Sequence, residues 1–329
     1  MLTELTMTTA PAPTAIPNNL QSEDSNDQGK RLPPGTPARK IPKPKLRLHV
    51  EDLRHPSSSS FLALIPDVAS TLETALENII RYLYTPPKHA GSAAGTNAKG
   101  IKPNFDPSIP PTRSVTVFLR DFEGVAYTTG SDLDDDHKEI HLSLPYITHC
   151  TAGQNSKAKA LHELVGVLTH ELVHCYQHTT PPSSDDQDAG GRDIPNPPGG
   201  LIEGIADFVR LKAGLEPPHW KRPTSASERA SKWDAGYQST AFFLAWIEDE
   251  RVGEGAIGML NDRLFRVGYV GEDEEEDNKK RDGGGVGFWE SLFGTGVAEL
   301  WDEYGEYLDG SEGYKQRHRG NWEEEIVNP

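Results

Sequence analysis

Residues 158–178 restrict the fold of this chain more than any other segment. Leu161, Leu164, Val165, Leu168, Leu172, Cys175 and Tyr176 recur at three- and four-residue spacing and share one arc of a helical wheel, which predicts an amphipathic helix. On the opposite side stand His170 and His174 with Glu171 between them, an H-E-x-x-H pattern. Histidines at i and i+4 are neighbours on one helical face. Both imidazoles can therefore ligate a single Zn²⁺ while Glu171 projects beside an open coordination position. Two exposed polar residues opposite an apolar arc would give the same pattern.

A third ligand separates these alternatives. His178 lies one turn further along, but residues at i, i+4 and i+8 span about 12 Å of axial rise and cannot converge on one ion with bonds of about 2 Å. An H-E-x-x-H-x-x-G-x-x-H reading fails too, because Gln177 and Thr180 occupy the required positions. The remaining candidate is Glu203, in Gly200-Leu201-Ile202-Glu203-Gly204-Ile205-Ala206-Asp207, which opens an expected helix over residues 201–215. Asp207 follows one turn later and is placed to accept a hydrogen bond from the second ring nitrogen of His170. Glu203, Asp207 and Arg210 also lie opposite Leu201, Ile205 and Phe208, which equally describes a solvated helix face.

Elsewhere, Leu72, Leu76, Ile79, Ile80 and Leu83 predict a core helix over residues 67–84, with Ser70 and Glu73 as a capping box. Residues 114–119 read as a strand, and so do residues 139–144. There Ile140, Leu142 and Leu144 alternate with His141 and Ser143, so one face should be buried and the other exposed. This second strand is a candidate edge for pairing with an extended peptide. Residues 237–248, 254–267 and 297–308 are helical in pattern. Segments 86–113, 181–200 and 271–287 read as insertions or loops, the last containing the acidic run 272–277. Strands in the first half and helices in the second predict an α+β domain over residues 46–310, followed by a polar tail at 311–329. Residues 1–45 contain no aromatic residue, eight of the 26 prolines, and six basic against four acidic side chains. Such a segment cannot offset its ordering entropy and is expected to be a disordered arm.

The formal net charge of −17 over 329 residues argues against nucleic acid or an anionic membrane surface as partner. No run of about 18 apolar residues predicts a membrane span. Cys150 and Cys175 are too few for a disulfide framework; Cys175 reads as a small buried hydrophobe and His162 as an exposed helix residue. The first residues lack a basic stretch followed by an apolar one, so a reducing, cytoplasmic compartment is the expectation.

The segment His170–His174 followed by Cys-Tyr-Gln, and the run Gly-Gly-Leu-Ile-Glu-Gly-Ile-Ala-Asp-Phe-Val-Arg-Leu-Lys-Ala-Gly at 199–214, resemble the plant basic secretory protein family of zinc peptidases, also found in fungi and bacteria. The resemblance extends to residues 121–127, the 139–144 strand, Trp233-Asp-Ala-Gly-Tyr237, residues 240–246 and Leu300-Trp301, and so covers most of residues 46–310. It implies a zincin-like, gluzincin-type domain with His170, His174 and Glu203 as zinc ligands and Glu171 as catalytic base. Three departures are visible: an acidic rather than basic chain, no signal segment where plant members are secreted, and the insertions at 86–113 and 271–287.

The expected activity is that of a monomeric zinc endopeptidase acting on peptide or protein substrates, with Glu171 deprotonating a zinc-bound water. Tyr237 starts a helix downstream of the ligands, where gluzincin-like enzymes bring a Tyr or His to the developing oxyanion, and His219 is a weaker competitor. No Gly-x-Met-Glu-Asn segment that would capture a substrate N-terminus is present, which disfavours an exopeptidase. The alternative is a non-catalytic interaction protein that keeps zinc as a structural staple.

Overall fold

The computed structural model describes residues 41–86, 105, 107–131, 133–152, 156–182, 194–271 and 287–311. The expected arm up to residue 40, the acidic run 272–277, the tail beyond residue 311 and most of segments 86–113 and 181–200 lie outside the described residues. In chain order the elements are β1 (Lys45–Val50), α1 (Pro56–Leu64), α2 (Val68–Leu83), β2 (Ser114–Arg120), β3 (Ala126–Ser131), β4 (Asp134–Ser143), α3 (Leu144–Thr151), α4 (Lys157–His174), α5 (Gly199–Lys212), α6 (Tyr237–Trp246), α7 (Ala256–Arg266), α8 (Phe288–Phe293) and α9 (Val297–Leu308). A 3-10 turn occupies Ala226–Glu228, and a π-type turn, Ile247–Arg251, continues α6. The domain is α+β, and all four strands among the described residues fall in its first half.

The sheet order is β1-β2-β4-β3, with β1, β2 and β4 parallel and β3 antiparallel to β4. The strand expected to be an edge, residues 139–144, is therefore internal, and the edge that packs on α4 is β3. Val115, Val117, Leu119, Ile140 and Leu142 form the core face. The other face of β4 was expected to be exposed, yet His141 is only 3 % accessible. Its ring is stacked between Phe118, at 4.8 Å, and Tyr127, at 4.5 Å, and burial lowers its pKa below the ordinary imidazole value. Ser143 is buried because it caps α3: its hydroxyl accepts the Tyr146 N–H at 3.2 Å and donates to the Phe122 carbonyl at 2.8 Å.

The apolar spacing of α2 buries Leu72, Leu76, Ile79, Ile80 and Leu83 as expected. Its cap is Asp67 rather than Ser70: the Asp67 carboxylate accepts the Ser70 N–H at 2.9 Å, which leaves Ser70 inside the first turn. Helix α4 differs from a half-exposed amphipathic helix. From Gly166 to Val173 every residue is buried, because β3 and α5 cover the side opposite the apolar arc. It also ends at His174, so His178 is not a further helical turn. The His178 ring Nε2 donates to the Ser108 carbonyl at 2.7 Å. His162 is half-buried rather than exposed, its Nε2 donating to the Glu216 carbonyl at 3.0 Å. Cys175 is buried as expected.

Behind α5, the aromatic side chains of the C-terminal half build a second part of the core. Phe243 is surrounded by Trp246, Trp289, Trp301 and Tyr304 with centroids 5.2 to 6.3 Å away. The π-type turn aims the 3 %-exposed Glu248 at the start of α7, where its carboxylate accepts the N–H groups of Gly255 at 2.9 Å and Ile257 at 3.0 Å. These are donors that a helix cannot satisfy internally. Glu248→Ala should therefore cost about 2 kcal/mol, read as a lower urea midpoint. An unchanged midpoint would mean that the freed N–H groups find other partners.

Candidate active site

Two helix ends and one strand edge assemble the site. His170 and His174 occupy the last two turns of α4, and Glu203 and Asp207 the second and third turns of α5. The helices come together with His170 Nε2 3.1 Å from Glu203 Oε2, His174 Nε2 3.6 Å from the same oxygen, and the two Nε2 atoms 3.1 Å apart. Three donors ligating one ion through bonds of about 2 Å in a tetrahedron stand about 3.3 Å from one another. The observed triangle matches one face of such a tetrahedron, so this donor set fits a metal ion. Among the described residues it is the one group of three or more His, Cys, Asp or Glu side chains close enough to share an ion.

The expected carboxylate partner of His170 is in place: Asp207, 2 % exposed, has Oδ1 2.6 Å from His170 Nδ1. Burial disfavours a charged His170, but the hydrogen bonds to Asp207 and Glu203 outweigh it and raise its pKa to about 9. Burial likewise opposes ionisation of Glu203, and the two imidazoles overcome it, holding the carboxyl at about 2. The reading of α5 as a solvated face is excluded for Asp207 and for Arg210, 6 % exposed. Arg210 lies 3.1 Å from Glu163 Oε1 and against Gly166, where a Cβ would come within 2.5 Å of Arg210 Nε.

Tyr237 stacks on His170 with ring centroids 6.1 Å apart and planes 13° from parallel. Among the described residues it is the one non-glycine at positive φ, +46°, an uncommon backbone state that concentrates at functional sites. Tyr237 is 58 % exposed, and the Glu203 carboxylate raises the pKa of its hydroxyl. The backbone is held there by glycines: a Cβ on Gly200 would stand 1.9 Å from the Asp234 carbonyl oxygen, and one on Gly204 2.3 Å from Thr240 Cγ2. His219 is exposed on the wall of the same cleft.

Glu171 is buried on this cleft, whose volume is about 870 Å³ and one wall of which is the β3 edge. The Thr128 hydroxyl donates to Glu171 Oε2 at 2.7 Å. Sequence reasoning missed Thr128 because β3 itself was not recognised. It also missed the role of Gln177, whose amide nitrogen lies 2.7 Å from His174 Nδ1; the three-residue spacing from His174 was the available signal.

A family model described as "Peptidase of plants and bacteria" (BSP) matches residues 43–304. The chain belongs to this family. The BSP match takes in the sheet, the three convergent donors and most of the aromatic core, and it agrees with the resemblance to basic secretory proteins. It makes the protein a peptidase in the general sense that the family description carries. No curated protein and no solved structure matched the chain.

The glycine contacts make the BSP site testable through packing alone. Gly200→Ala should push the 234–237 segment off α5 and destabilise the protein by about 1–3 kcal/mol, with loss of peptidase activity. Gly199→Ala, with nothing within 4 Å of the added Cβ, should leave thermal unfolding and activity near wild type. Equal behaviour of the two variants would contradict this account of the close approach.

Proposed function

We propose that the protein is a zinc-dependent endopeptidase of zincin-like architecture, with His170, His174 and Glu203 as ligands and Glu171 as general base. The observation that carries the reading is the triangle of His170 Nε2, His174 Nε2 and Glu203 Oε2 at 3.1 to 3.6 Å, next to a buried glutamate in a cleft. Two imidazoles and a carboxylate suit zinc among the common divalent ions. When bound, the ion polarises the scissile carbonyl and acidifies the attacking water.

The protein's own groups supply the remaining steps. An extended peptide adds to the free edge of β3, where residues 125–128 line the cleft. This is the role the sequence assigned to the 139–144 strand, now moved to its neighbour. Glu171, held by Thr128, takes the proton of the attacking water and delivers it to the leaving amine. The Tyr237 hydroxyl donates to the carbonyl oxygen as negative charge develops there. Asp207 fixes the His170 ring so that Nε2 faces Glu203.

Peptide libraries derived from a proteome, digested with wild type and Glu171→Ala and paired with metal analysis, test the proposal. Wild type should contain about one zinc per chain and cleave; Glu171→Ala should keep the zinc and not cleave. Cleavage by Glu171→Ala would overturn the mechanism, and an inactive wild type that unfolds on chelation would favour a structural zinc. Tyr237→Phe should lower kcat about 100-fold at unchanged zinc content; an unchanged kcat would remove Tyr237 from the catalytic group.

A further inference from the structure

The two histidines of the donor triangle are held from behind in different ways. His170 Nδ1 meets a carboxylate, Asp207, supplied by another helix. His174 Nδ1 meets an amide, Gln177, three residues further along its own chain. Helix α4 stops at His174, and the backbone turns through Cys175 and Tyr176, with the Gln177 N–H donating to the Val173 carbonyl at 2.7 Å. That turn brings the Gln177 side chain back against the imidazole. Gln177 is buried, and its Oε1 has no hydrogen-bond partner.

The orphaned oxygen bears on which tautomer His174 adopts. An imidazole that offers its Nε2 lone pair to a metal carries its proton on Nδ1, and that N–H requires an acceptor. Gln177 Oε1 and Nε2 exchange places by a half-turn of the amide. After that turn Oε1 faces Nδ1–H at the separation the nitrogen now occupies, and the amide –NH2 takes the buried position at the cleft wall.

We infer that Gln177 is a positioning residue for His174, its amide oxygen fixing the Nδ1–H tautomer so that Nε2 is presented to a metal ion beside His170 and Glu203. The inference rests on the zinc-peptidase reading and adds to it a residue that acts through His174. It also assigns an asymmetry: one ligand histidine is backed by a negative group, Asp207, and the other by a neutral one.

Zinc affinity of the full chain, measured by competition with a chromophoric chelator, tests this without a peptidase assay. Gln177→Leu removes the acceptor at similar size and should weaken zinc binding about 10- to 100-fold, while the metal-free protein keeps its thermal midpoint. Gln177→Glu restores an acceptor at the same position and should bind zinc at least as tightly as wild type. Wild-type affinity in Gln177→Leu, or equal weakening in both variants, overturns the role of Gln177 and leaves the zinc site standing. Failure of the wild-type chain to bind zinc overturns both.

Discussion

How closely α5 can lie against α4 and α6 is the constraint on which the site depends. Donor atoms about 3 Å apart must be delivered from two helices whose axes stay several ångströms apart, so the facing side chains must be small or flat. Three glycines meet this requirement. Gly166 on α4 leaves a slot for the Arg210 guanidinium, Gly204 on α5 takes the Thr240 methyl, and Gly200 takes the Asp234 carbonyl. In the motif that reads as Gly-Gly-Leu-Ile-Glu-Gly in the sequence, Gly200 and Gly204 are close-contact positions on either side of one donor carboxylate, and these glycines are part of how Glu203 reaches the histidines.

Close approach of helices that carry charge has an electrostatic cost, which the fold offsets by pairing. Asp207 is buried against His170, and Glu163 is held between the Tyr146 hydroxyl, at 2.7 Å, and Arg210, at 3.1 Å. Burial of each ion alone would cost several kcal/mol, and pairing with further hydrogen bonds recovers much of it. The two pairs sit about two helical turns apart along α4 and within one turn along α5, so the two helices are tied together at two levels. Ties of this kind fix the relative positions of side chains that two separate helices bring to one cleft.

Much of this was legible in the sequence where one element supplies the whole pattern. The i, i+4 spacings of His170 with His174 and of Glu203 with Asp207 each lie within a single helix, and the contacts follow the expected pairing. What was not legible depends on partners distant in sequence. β3, with the sequence AYTTGS, has no alternation of apolar and polar residues, because one side of it faces a cleft. His141 looks like an exposed strand residue until Phe118 and Tyr127, from both neighbouring strands, close over it. Glu248 reads as the last residue of the 237–248 helix. Only the π-type turn, which shifts the phase of the side chains, turns it toward the N-terminus of α7.

The acidity of the chain takes on a different meaning beside this geometry. A net charge of −17 would disturb a site that relied on the surrounding field, since unpaired carboxylates would compete for protons and cations. Here the two carboxylates nearest the histidines are each tied to an imidazole at 2.6 to 3.6 Å, inside a Debye length of about 8 Å and partly or wholly shielded from solvent. For Glu203, the two imidazoles hold the carboxyl ionised against the cost of its burial. An acidic chain can therefore carry this inner arrangement, because the surface charge and the charge of the site are separable quantities in this fold.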